Sequence, residues 1–343
     1  MLKIHSQIDK ERRYAYNYIK NMGIIRMNGI IFGGMVRDEI VATHYKSLFD
    51  EHCESNKKLY KKFWDKNYHK ETIKRTLVPN DIDIYFQNSE NAETFITEVG
   101  NYAKSFNGSI RVLTGILYEF GENLVHKKIN VYLFIGRTAV YNGTVLKLNI
   151  DVIINNGVGI IEPPFNSGDF TCNLFVMSKK DDINYEIRLS KTTGTKLDNM
   201  SFVRKLNLQM KIMNDLIAGN TEFIRTSVNI DTEYINGMRI LKMLDTDMKI
   251  SNLQFREVET TTTDENCDIC QMSFETEDSK GPFIELLTNK HSINTMHKPC
   301  FLRYLRAEIN KKNRNTSTNA IECRCTRRNL FNFNDSHKYS SVF

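Results

Sequence analysis

Two pairs of metal-binding residues in the last third of the sequence constrain the fold of this chain most strongly. Cys267 and Cys270 are separated by two residues, and so are His297 and Cys300. This spacing lets one tight backbone turn present two ligands to the same tetrahedral Zn²⁺ ion. The four residues therefore predict a Cys₃His zinc site, and with it a small domain whose folding depends on metal.

More residues of the same types leave the number of zinc ions open. Five of the seven cysteines lie between Cys267 and Cys325, and in a reducing compartment such clustering favours metal binding over disulfide bonds. His291, Cys323 and Cys325 are three of the four ligands that a second site needs. Cys323 and Cys325 have one intervening residue instead of two, so a module with a single zinc ion is the alternative prediction.

Length and hydropathy indicate about two domains outside any membrane. The chain has 343 residues, of which 41% are hydrophobic, and a typical domain has ~150 residues. The first residues, MLKIHSQIDKERR, lack the apolar core of a signal peptide, and no apolar run approaches the ~18 residues of a membrane span. We therefore expect an intracellular protein, cytoplasmic or nuclear, with a sizeable core.

Charge is concentrated in three segments. The net charge is +6, and residues 301–343 account for all of it with nine basic and three acidic residues. Residues 57–76 hold eight basic and two acidic residues, whereas residues 255–278 hold eight acidic residues and one basic residue. Lysines with Trp64 and Tyr68 could bind nucleic-acid phosphates and stack on bases. A solvated helix face with its aromatic side chains packed on the domain is the alternative.

Hydrophobic periodicity over the first 250 residues predicts an α+β fold. Helical spacing of apolar residues predicts helices over residues 7–21, 35–49, 53–76, 89–106, 201–218 and 232–248. Short apolar or alternating runs predict strands over residues 29–32, 81–86, 110–120, 129–136 and 144–154. This order favours a mixed sheet with flanking helices on one face.

Three aspartates on two of these strands form a candidate catalytic centre. Asp81 and Asp83 are two residues apart, so their side chains share one face of the strand. If the strand that carries Asp151 is a neighbour, three carboxylates converge. Close carboxylates repel one another unless a cation lies between them, which favours Mg²⁺. An Asp-x-Asp pair that marks a strand leaving the core is the alternative interpretation.

The Gly33-Gly34 turn supplies a candidate phosphate site. Without a Cβ atom, backbone N–H groups can approach a phosphate closely, and the N-terminus of the helix that follows favours anions. The other histidines that lack ligand-like spacing are predicted to be surface or helix-face residues, namely His5, His44, His52, His69, His126 and His337.

Five segments in this order resemble the head of poly(A) polymerases and CCA-adding enzymes, which belong to the DNA polymerase β-like nucleotidyltransferase superfamily. The segments are FGGMVRDEI (32–40), NDIDIYF (80–86), NIDVIIN (149–155), GDFTCNLFVM (168–177) and MRILKMLDTDMKI (238–250). The resemblance covers roughly residues 1–250. It implies a template-independent transfer of nucleotides from an NTP such as ATP to the 3′-hydroxyl of RNA, with two Mg²⁺ ions.

The resemblance also implies roles for individual residues. Asp81 and Asp83 would bind the Mg²⁺ ions, and Asp151 would be the third carboxylate, either a base or a metal ligand. Gly33 and Gly34 would contact the phosphates, and Arg37 and Asp38 would support the triphosphate side. Asp169 and Asn173 would line the nucleoside side. A turn and a helix cap are the alternative roles for the last two.

The chain departs from that family in ways that argue against CCA addition. Gly34 and Asp81 are 47 positions apart, which is longer than the connection typical of the family. Ser167-Gly168 stand where many relatives have a basic pair, and no Glu-Asp-x-x-Arg element is recognisable. No neck, body or tail is recognisable after residue 250 either.

Residues 267–326 resemble a RING-type cross-brace, in which the first and third ligand pairs share one zinc ion and the other two pairs share a second. The resemblance implies partner recruitment, with Ile269 and the Tyr304 region contacting a ubiquitin-conjugating enzyme. The alternative function is therefore a RING-type E3 ubiquitin ligase or adaptor with an inactive transferase-like head. A structural protein of a large assembly is a third possibility, and a treble-clef or degenerate RING is an alternative for the zinc module.

These features together predict the domain organisation. The predicted parts are a nucleotidyltransferase-like catalytic head at residues 1–200 with a basic insert at 53–76, a helical extension at 201–250, an acidic linker at 251–266, a RING-like zinc finger at 267–326, and a basic tail at 327–343.

Overall fold

A computed structural model describes most of the chain and divides it into two compact units. The described residues are 2–53, 81–116, 124–135, 144–157, 159, 161–163, 170–191, 201–224, 238–244, 248–251, 255–258, 266–274, 283–288, 291–312, 320–323 and 328–332. The first unit comprises Met1–Gly168 and Cys172–Met213, and the second comprises Asp169–Thr171 and Asn214–Phe343. The main division therefore falls within the predicted helical extension.

The first unit is built on a seven-stranded mixed sheet. Its strands are β1 (Ile30–Phe32), β2 (Asp81–Phe86), β3 (Ser109–Ile116), β4 (Leu124–Ile135), β5 (Thr144–Asn155), β6 (Phe175–Lys179) and β7 (Tyr185–Leu189). Their order in the sheet is β3-β4-β5-β2-β1-β6-β7. Strands β2 and β5 are parallel, and the other neighbouring pairs are antiparallel. The predicted α+β class with a mixed sheet and flanking helices is confirmed.

In the described part of the chain, four helices accompany this sheet in sequence, and the last of them includes residues of both units. They are α1 (Leu2–Asn21), α2 (Gly34–Cys53), α3 (Ser89–Ser105) and α4 (Phe202–Ile217). Helix α3 begins where a preceding Asn88 side chain accepts a hydrogen bond from the backbone N–H of Asn91, 2.9 Å away. This cap satisfies one of the backbone donors that a helix N-terminus leaves unpaired.

Alternation along β2 gives the strand one fully buried face. The side chains of Ile82, Ile84 and Phe86 are completely buried. The ring of Phe86 lies 5.2 Å from the ring of Phe95 on α3. A Cβ atom on Gly23 would lie 2.5 Å from Ile84 Cδ1, so a small residue is required in the π-helical turn that follows α1. This packing fixes the register of β2 and turns its acidic residues to the opposite face.

The opposite face of the sheet combines the acids with a small apolar cluster. Asp81 and Asp83 are half-buried. Tyr85, two residues further on, joins a buried cluster formed by Phe32, Tyr85, Leu124, Ile153 and Val176. The carboxylates therefore lie next to this apolar cluster, to which four strands besides β2 contribute side chains.

Several predicted elements differ from the structure in extent. Strand β4 begins at Leu124, five residues before the predicted start, because Leu124 already packs in the apolar cluster. Strands β6 and β7 were not predicted. The predicted helix at 53–76 lies outside the described residues except at Cys53, and of the predicted helix at 232–248, residues 238–244 are described and helical.

Among its described residues, the second unit contains the helical stretch at 238–244, a parallel pair of short strands, a three-stranded sheet, a longer helix and a hairpin. Its elements are β8 (Asn220–Thr221), β9 (Lys249–Ile250), β10 (Phe255–Val258), β11 (Phe283–Thr288), β12 (His291–His297), α5 (Lys298–Lys312), β13 (Ala320–Cys323) and β14 (Arg328–Asn332). Strands β10, β11 and β12 form the antiparallel sheet in that order.

Part of the segment that was predicted as an acidic linker belongs to this folded unit. Strand β10 pairs with β11, with Phe255 opposite Leu286 and Val258 opposite Phe283. Phe255 is buried, and its ring lies 5.0 Å from that of Phe301 on α5. Acidic composition favoured a linker, but the apolar residue at the start of the strand anchors it to the domain.

Among the helices that the structure describes, none is long and apolar enough to cross a membrane.

Candidate active site and metal centre

The three predicted catalytic aspartates lie on one face of two adjacent strands. Strands β2 and β5 pair in parallel, with Asp83 opposite Asp151 and Asp81 opposite Asn149. Neighbouring strands are ~4.8 Å apart, and paired residues direct their side chains to the same face. The three carboxylates were predicted to converge if these two strands were neighbours, and the strands are neighbours.

These carboxylates form an open group and not a closed metal cage. In the described part of the chain, one group of three or more metal-binding side chains has all its ligand atoms within 4.8 Å of one another, and it is the cysteine-histidine group. Mg²⁺ usually takes one or two protein carboxylates and completes its shell with water and substrate phosphate oxygens, so the Mg²⁺ assignment stays a prediction.

Gly33 brings the backbone of the predicted phosphate turn against the acidic face. Strand β1 pairs with β2 so that Phe32 lies opposite Asp83, and Gly33 follows at once. The φ angle of Gly33 is +74°, and a Cβ atom there would lie 2.7 Å from Asp83 Oδ2. A side chain here would be strained by the backbone conformation and would displace the Asp83 carboxylate. Helix α2 begins at the next residue, so its N-terminus lies beside the Asp83 carboxylate.

Arg37 and Asp38, the two residues predicted to support the triphosphate side, pair with each other in the first turns of α2. Arg37 Nε and Nη2 each lie 2.9 Å from Asp38 Oδ1. A Cβ atom on Gly34 would lie 3.6 Å from Arg37 Nη2, so the guanidinium lies over the glycine. Both side chains are mostly buried. The ion pair places the Arg37 guanidinium, with its charge balanced by Asp38, next to the Gly33-Gly34 turn.

Tyr16 connects α1 to the acidic end of the sheet and was not singled out by its sequence. Its hydroxyl accepts a hydrogen bond from the backbone N–H of Asn149, 3.3 Å away. Burial raises the pKa of Tyr16 to about 12, and the nearby negative charge of Asp81 adds to the rise. Tyr16 is therefore a neutral hydroxyl at neutral pH, held near Asp81.

His126 is the second residue that the sequence did not identify, and its predicted surface role is wrong. It lies on β4, and its Nε2 is 2.7 Å from Oδ1 of Asp151. Both side chains are largely buried, with exposed fractions of 18% for His126 and 19% for Asp151. Spacing in the sequence could not reveal the contact, because it joins two strands that are 25 residues apart.

Of the two residues predicted to line the nucleoside side, Asn173 and Asp169, one lies in the described part of the chain. Asn173 ends a short 3-10 helix just before β6, and its Oδ1 lies 3.6 Å from Cys172 Sγ. Antiparallel pairing places Val176 opposite Phe32, so Asn173 lies at the same end of the sheet as Gly33. Asp169 lies outside the described residues.

The second unit brings the four predicted zinc ligands together. The ligand atoms of Cys267, Cys270, His297 and Cys300 all lie within 4.8 Å of one another. His297 ends β12 and Cys300 lies in the first turn of α5, so a strand–helix junction supplies one pair. The other pair lies on a tight turn, in which the backbone N–H of residue 271 donates to the carbonyl of Cys267 at 2.8 Å. The group can hold a metal ion such as zinc.

The orientation of His297 fits a metal ligand. Its Nδ1 lies 3.4 Å from Cys270 Sγ and 4.0 Å from Cys300 Sγ, so this nitrogen faces the sulfur atoms. The other ring nitrogen, Nε2, is buried without a hydrogen-bond partner. The ring packs against Phe274 and Phe283, with centroid distances of 5.0 and 5.9 Å, and these two rings also contact each other at 5.1 Å. This packing holds Nδ1 towards the cysteines.

The mutual repulsion of the cysteine thiolates in this group also favours a bound cation. Burial, together with the neighbouring Cys270 and Cys267, raises the pKa of Cys300 to about 11. The pKa of Cys270 is lowered, chiefly by the backbone N–H of Met272. Three thiolates in so small a space repel one another, and a bound Zn²⁺ ion removes that repulsion.

The structure leaves the proposed second zinc site a prediction. His291 lies on β12 and Cys323 on β13, but their side chains are not described, and Cys325 lies outside the described residues. The first and third ligand pairs share a site, as the cross-brace interpretation requires for one of its two zinc ions.

No protein-family model, curated protein or solved structure matches this chain. What the molecule establishes is an α+β fold with a seven-stranded mixed sheet, three aspartates on one face of two paired strands, and a Cys₃His group that can hold a metal ion.

Proposed function

We propose that the first unit is a Mg²⁺-dependent, template-independent nucleotidyltransferase that adds nucleotides from an NTP to the 3′-hydroxyl of RNA. The observation that carries the proposal is the convergence of Asp83, Asp151 and Gly33. The two carboxylates are cross-strand partners, and the glycine turn at the start of α2 abuts one of them. A carboxylate pair beside a helix N-terminus is the combination that transfer from a triphosphate needs.

Each part of the site has a role in this reaction. Asp81, Asp83 and Asp151 hold the divalent cations, which when bound neutralise the triphosphate and favour ionisation of the attacking hydroxyl. The backbone N–H groups at Gly33 and Gly34 receive the phosphates. The 3′-oxygen loses its proton to water and bonds to the α-phosphorus, while the bond from that phosphorus to the leaving pyrophosphate breaks.

The remaining residues position the substrates. Arg37, held by Asp38, supplies positive charge beside the phosphate turn, and Asn173 contacts the nucleoside from the same end of the sheet. The basic segment at 53–76, which lies outside the described residues except at Cys53, binds the RNA backbone through its lysines. The assignment of the first unit as a nucleotidyltransferase head similar to that of poly(A) polymerases is part of this proposal.

A transfer assay with the purified full-length chain tests the proposal. The chain is incubated with Mg²⁺, each radiolabelled NTP in turn and a short RNA, and Asp83→Asn is compared with Asp182→Asn. Asp182 lies in the β6–β7 turn with its side chain 96% exposed, so it controls for loss of one carboxylate. We expect extension by the wild type and by Asp182→Asn but not by Asp83→Asn. Failure of the wild type with all four NTPs contradicts the proposal.

A second candidate function rests on the metal group of the second unit. Cys267 and Cys270 share a site with His297 and Cys300, the pairing of first and third ligand pairs that a RING cross-brace has. We propose that this zinc module recruits a protein partner, with a ubiquitin-conjugating enzyme as the candidate. Self-ubiquitination with a panel of such enzymes tests this, and activity that survives Cys267→Ser contradicts it.

A further inference from the structure

We propose that His126 is a positioning residue of the candidate active site, and that its hydrogen bond to Asp151 fixes that carboxylate for a divalent cation. This inference rests on the proposed function of the first unit, because it assigns Asp151 to the cation site. It adds a residue that the carboxylate pattern in the sequence does not contain.

The sheet register explains how the contact forms. Strand β4 pairs with β5 so that Lys128 lies opposite Asp151 and His126 lies opposite Ile153. His126 is therefore the diagonal neighbour of Asp151 on the same face, a separation that a long side chain can span. The observed distance of 2.7 Å between Nε2 and Oδ1 shows that the imidazole does span it.

The surroundings of His126 hold its ring in place. Leu124, its neighbour on the same face of β4, and Ile153, its cross-strand partner, both belong to the buried apolar cluster. Gly115 on β3 lies opposite His126 on the other side, and a Cβ atom there would be 3.8 Å from His126 Nδ1. A Cβ atom at this distance would be in ordinary van der Waals contact with the ring.

The contact determines which oxygen of Asp151 faces a cation. An ionised carboxylate is an acceptor, so His126 donates through Nε2. Its bond occupies Oδ1 and leaves Oδ2 for a metal ion. Groups that hold a metal-ligating side chain from behind restrict its rotation, and their loss typically weakens metal affinity by about 10- to 100-fold.

Binding of Mn²⁺ to the zinc-saturated full chain, without NTP or RNA, tests the inference. Free Mn²⁺ is measured by electron paramagnetic resonance during a titration. We expect His126→Leu, which keeps apolar volume but cannot donate, to weaken binding by about 10- to 100-fold. His126→Gln, whose amide can donate from a similar position, should recover most of the affinity. Lys127→Ala is the control, because Lys127 lies on the same strand and pairs with Glu93 instead.

The outcomes separate this inference from the proposed function. If the wild type and Asp151→Asn bind Mn²⁺ equally, the cation site itself is refuted. If Asp151→Asn weakens binding and His126→Leu does not, the inference about His126 is overturned. A merely structural role predicts a lower melting temperature for zinc-saturated His126→Leu without Mn²⁺ and no recovery of Mn²⁺ affinity with His126→Gln. If the leucine variant does not fold, His126→Asn, whose shorter amide does not reach Asp151, replaces it.

Discussion

Asp83 on β2 lies directly opposite Asp151 on β5, in the one parallel strand pair of the seven-stranded sheet. The two residues are 68 positions apart in the sequence (151 − 83), yet their side chains start from neighbouring points on one face. Under the proposed function such a pair would act on a shared cation as a unit, and this cooperation would have measurable consequences.

The first prediction concerns additivity. We expect Asp83→Asn and Asp151→Asn each to lower the rate of nucleotide transfer by at least about 100-fold, and the double variant to be little slower than either. Residues that act as a unit show this non-additive behaviour, because losing one partner already disables the other. Single-turnover transfer rates for the four proteins measure it. Multiplied effects in the double variant would mean that the two carboxylates work independently.

The second prediction concerns the glycine turn. We expect Gly33→Ala to be less stable than Gly219→Ala by about 1–3 kcal/mol, since overpacking of a tight site costs this much. The two glycines have nearly equal φ angles, +74° and +75°, but a Cβ atom at Gly219 meets nothing within 4 Å. The comparison therefore cancels the cost of the backbone conformation and isolates the clash with Asp83.

Urea unfolding of each variant against the wild type measures that difference, and transfer rates measure its effect on the site. Gly33→Ala should also lose transfer activity, while Gly219→Ala should retain it. Equal losses of stability in the two variants would show that Gly33 is not pressed against the carboxylate.

The third prediction concerns the metal group. We expect the purified chain to contain at least one zinc ion, and Cys267→Ser to lose one relative to the wild type. Removal of zinc by a chelator should unfold the second unit, because the metal stabilises the folded form only. Inductively coupled plasma mass spectrometry measures the metal, and circular dichroism follows the unfolding. Cys172→Ser, at a buried cysteine of the first unit, should keep its zinc. Less than one zinc ion in the wild type contradicts the assignment.

The fourth prediction concerns pH and the ion pair between Glu162 and Arg188. Burial opposes ionisation of Glu162, but hydrogen bonds from Arg188, from the backbone N–H of Lys191 and from Ser190 outweigh it, and the pKa of Glu162 is lowered. A carboxyl group with a lowered pKa in the folded state stabilises the fold above its unfolded pKa of about 4.3. This stabilisation is lost as the pH falls through the folded pKa.

Urea unfolding at several pH values tests the ion pair with a matched variant. We expect Glu162→Gln to lower the free energy of unfolding by about 2 kcal/mol at pH 7, and the difference from the wild type to shrink below about pH 4. Glu186→Gln removes the other, more exposed partner of Arg188 and should cost much less. A Glu162→Gln effect that does not change with pH would exclude the charge as its cause.

The sequence predicts the acidic face because a single strand encodes it. In β2, apolar and acidic residues alternate, and the buried isoleucines fix which way Asp81 and Asp83 point. That β2 and β5 are neighbours could not be read from the residues, because strand pairing depends on the whole sheet. The four zinc ligands were likewise predictable from spacing, since each pair lies within one turn.

Other features escape prediction for physical reasons. Strand β6 has a run of buried residues without alternation, a pattern that does not distinguish a strand from a buried helix segment. The pairing of His126 with Asp151 depends on the register between two long strands. The fold of β10 within an acidic segment depends on the burial of Phe255 against a helix that lies more than forty residues later in the sequence.

One measurement tests the central claim most directly, namely the Mg²⁺-dependent extension of RNA that ends in a 3′-hydroxyl, compared with the same RNA ending in a 3′-deoxynucleotide. The account predicts that the wild-type chain extends the first RNA and not the second, and that Asp83→Asn extends neither. No extension with any NTP, or equal extension by the wild type and Asp83→Asn, would contradict it.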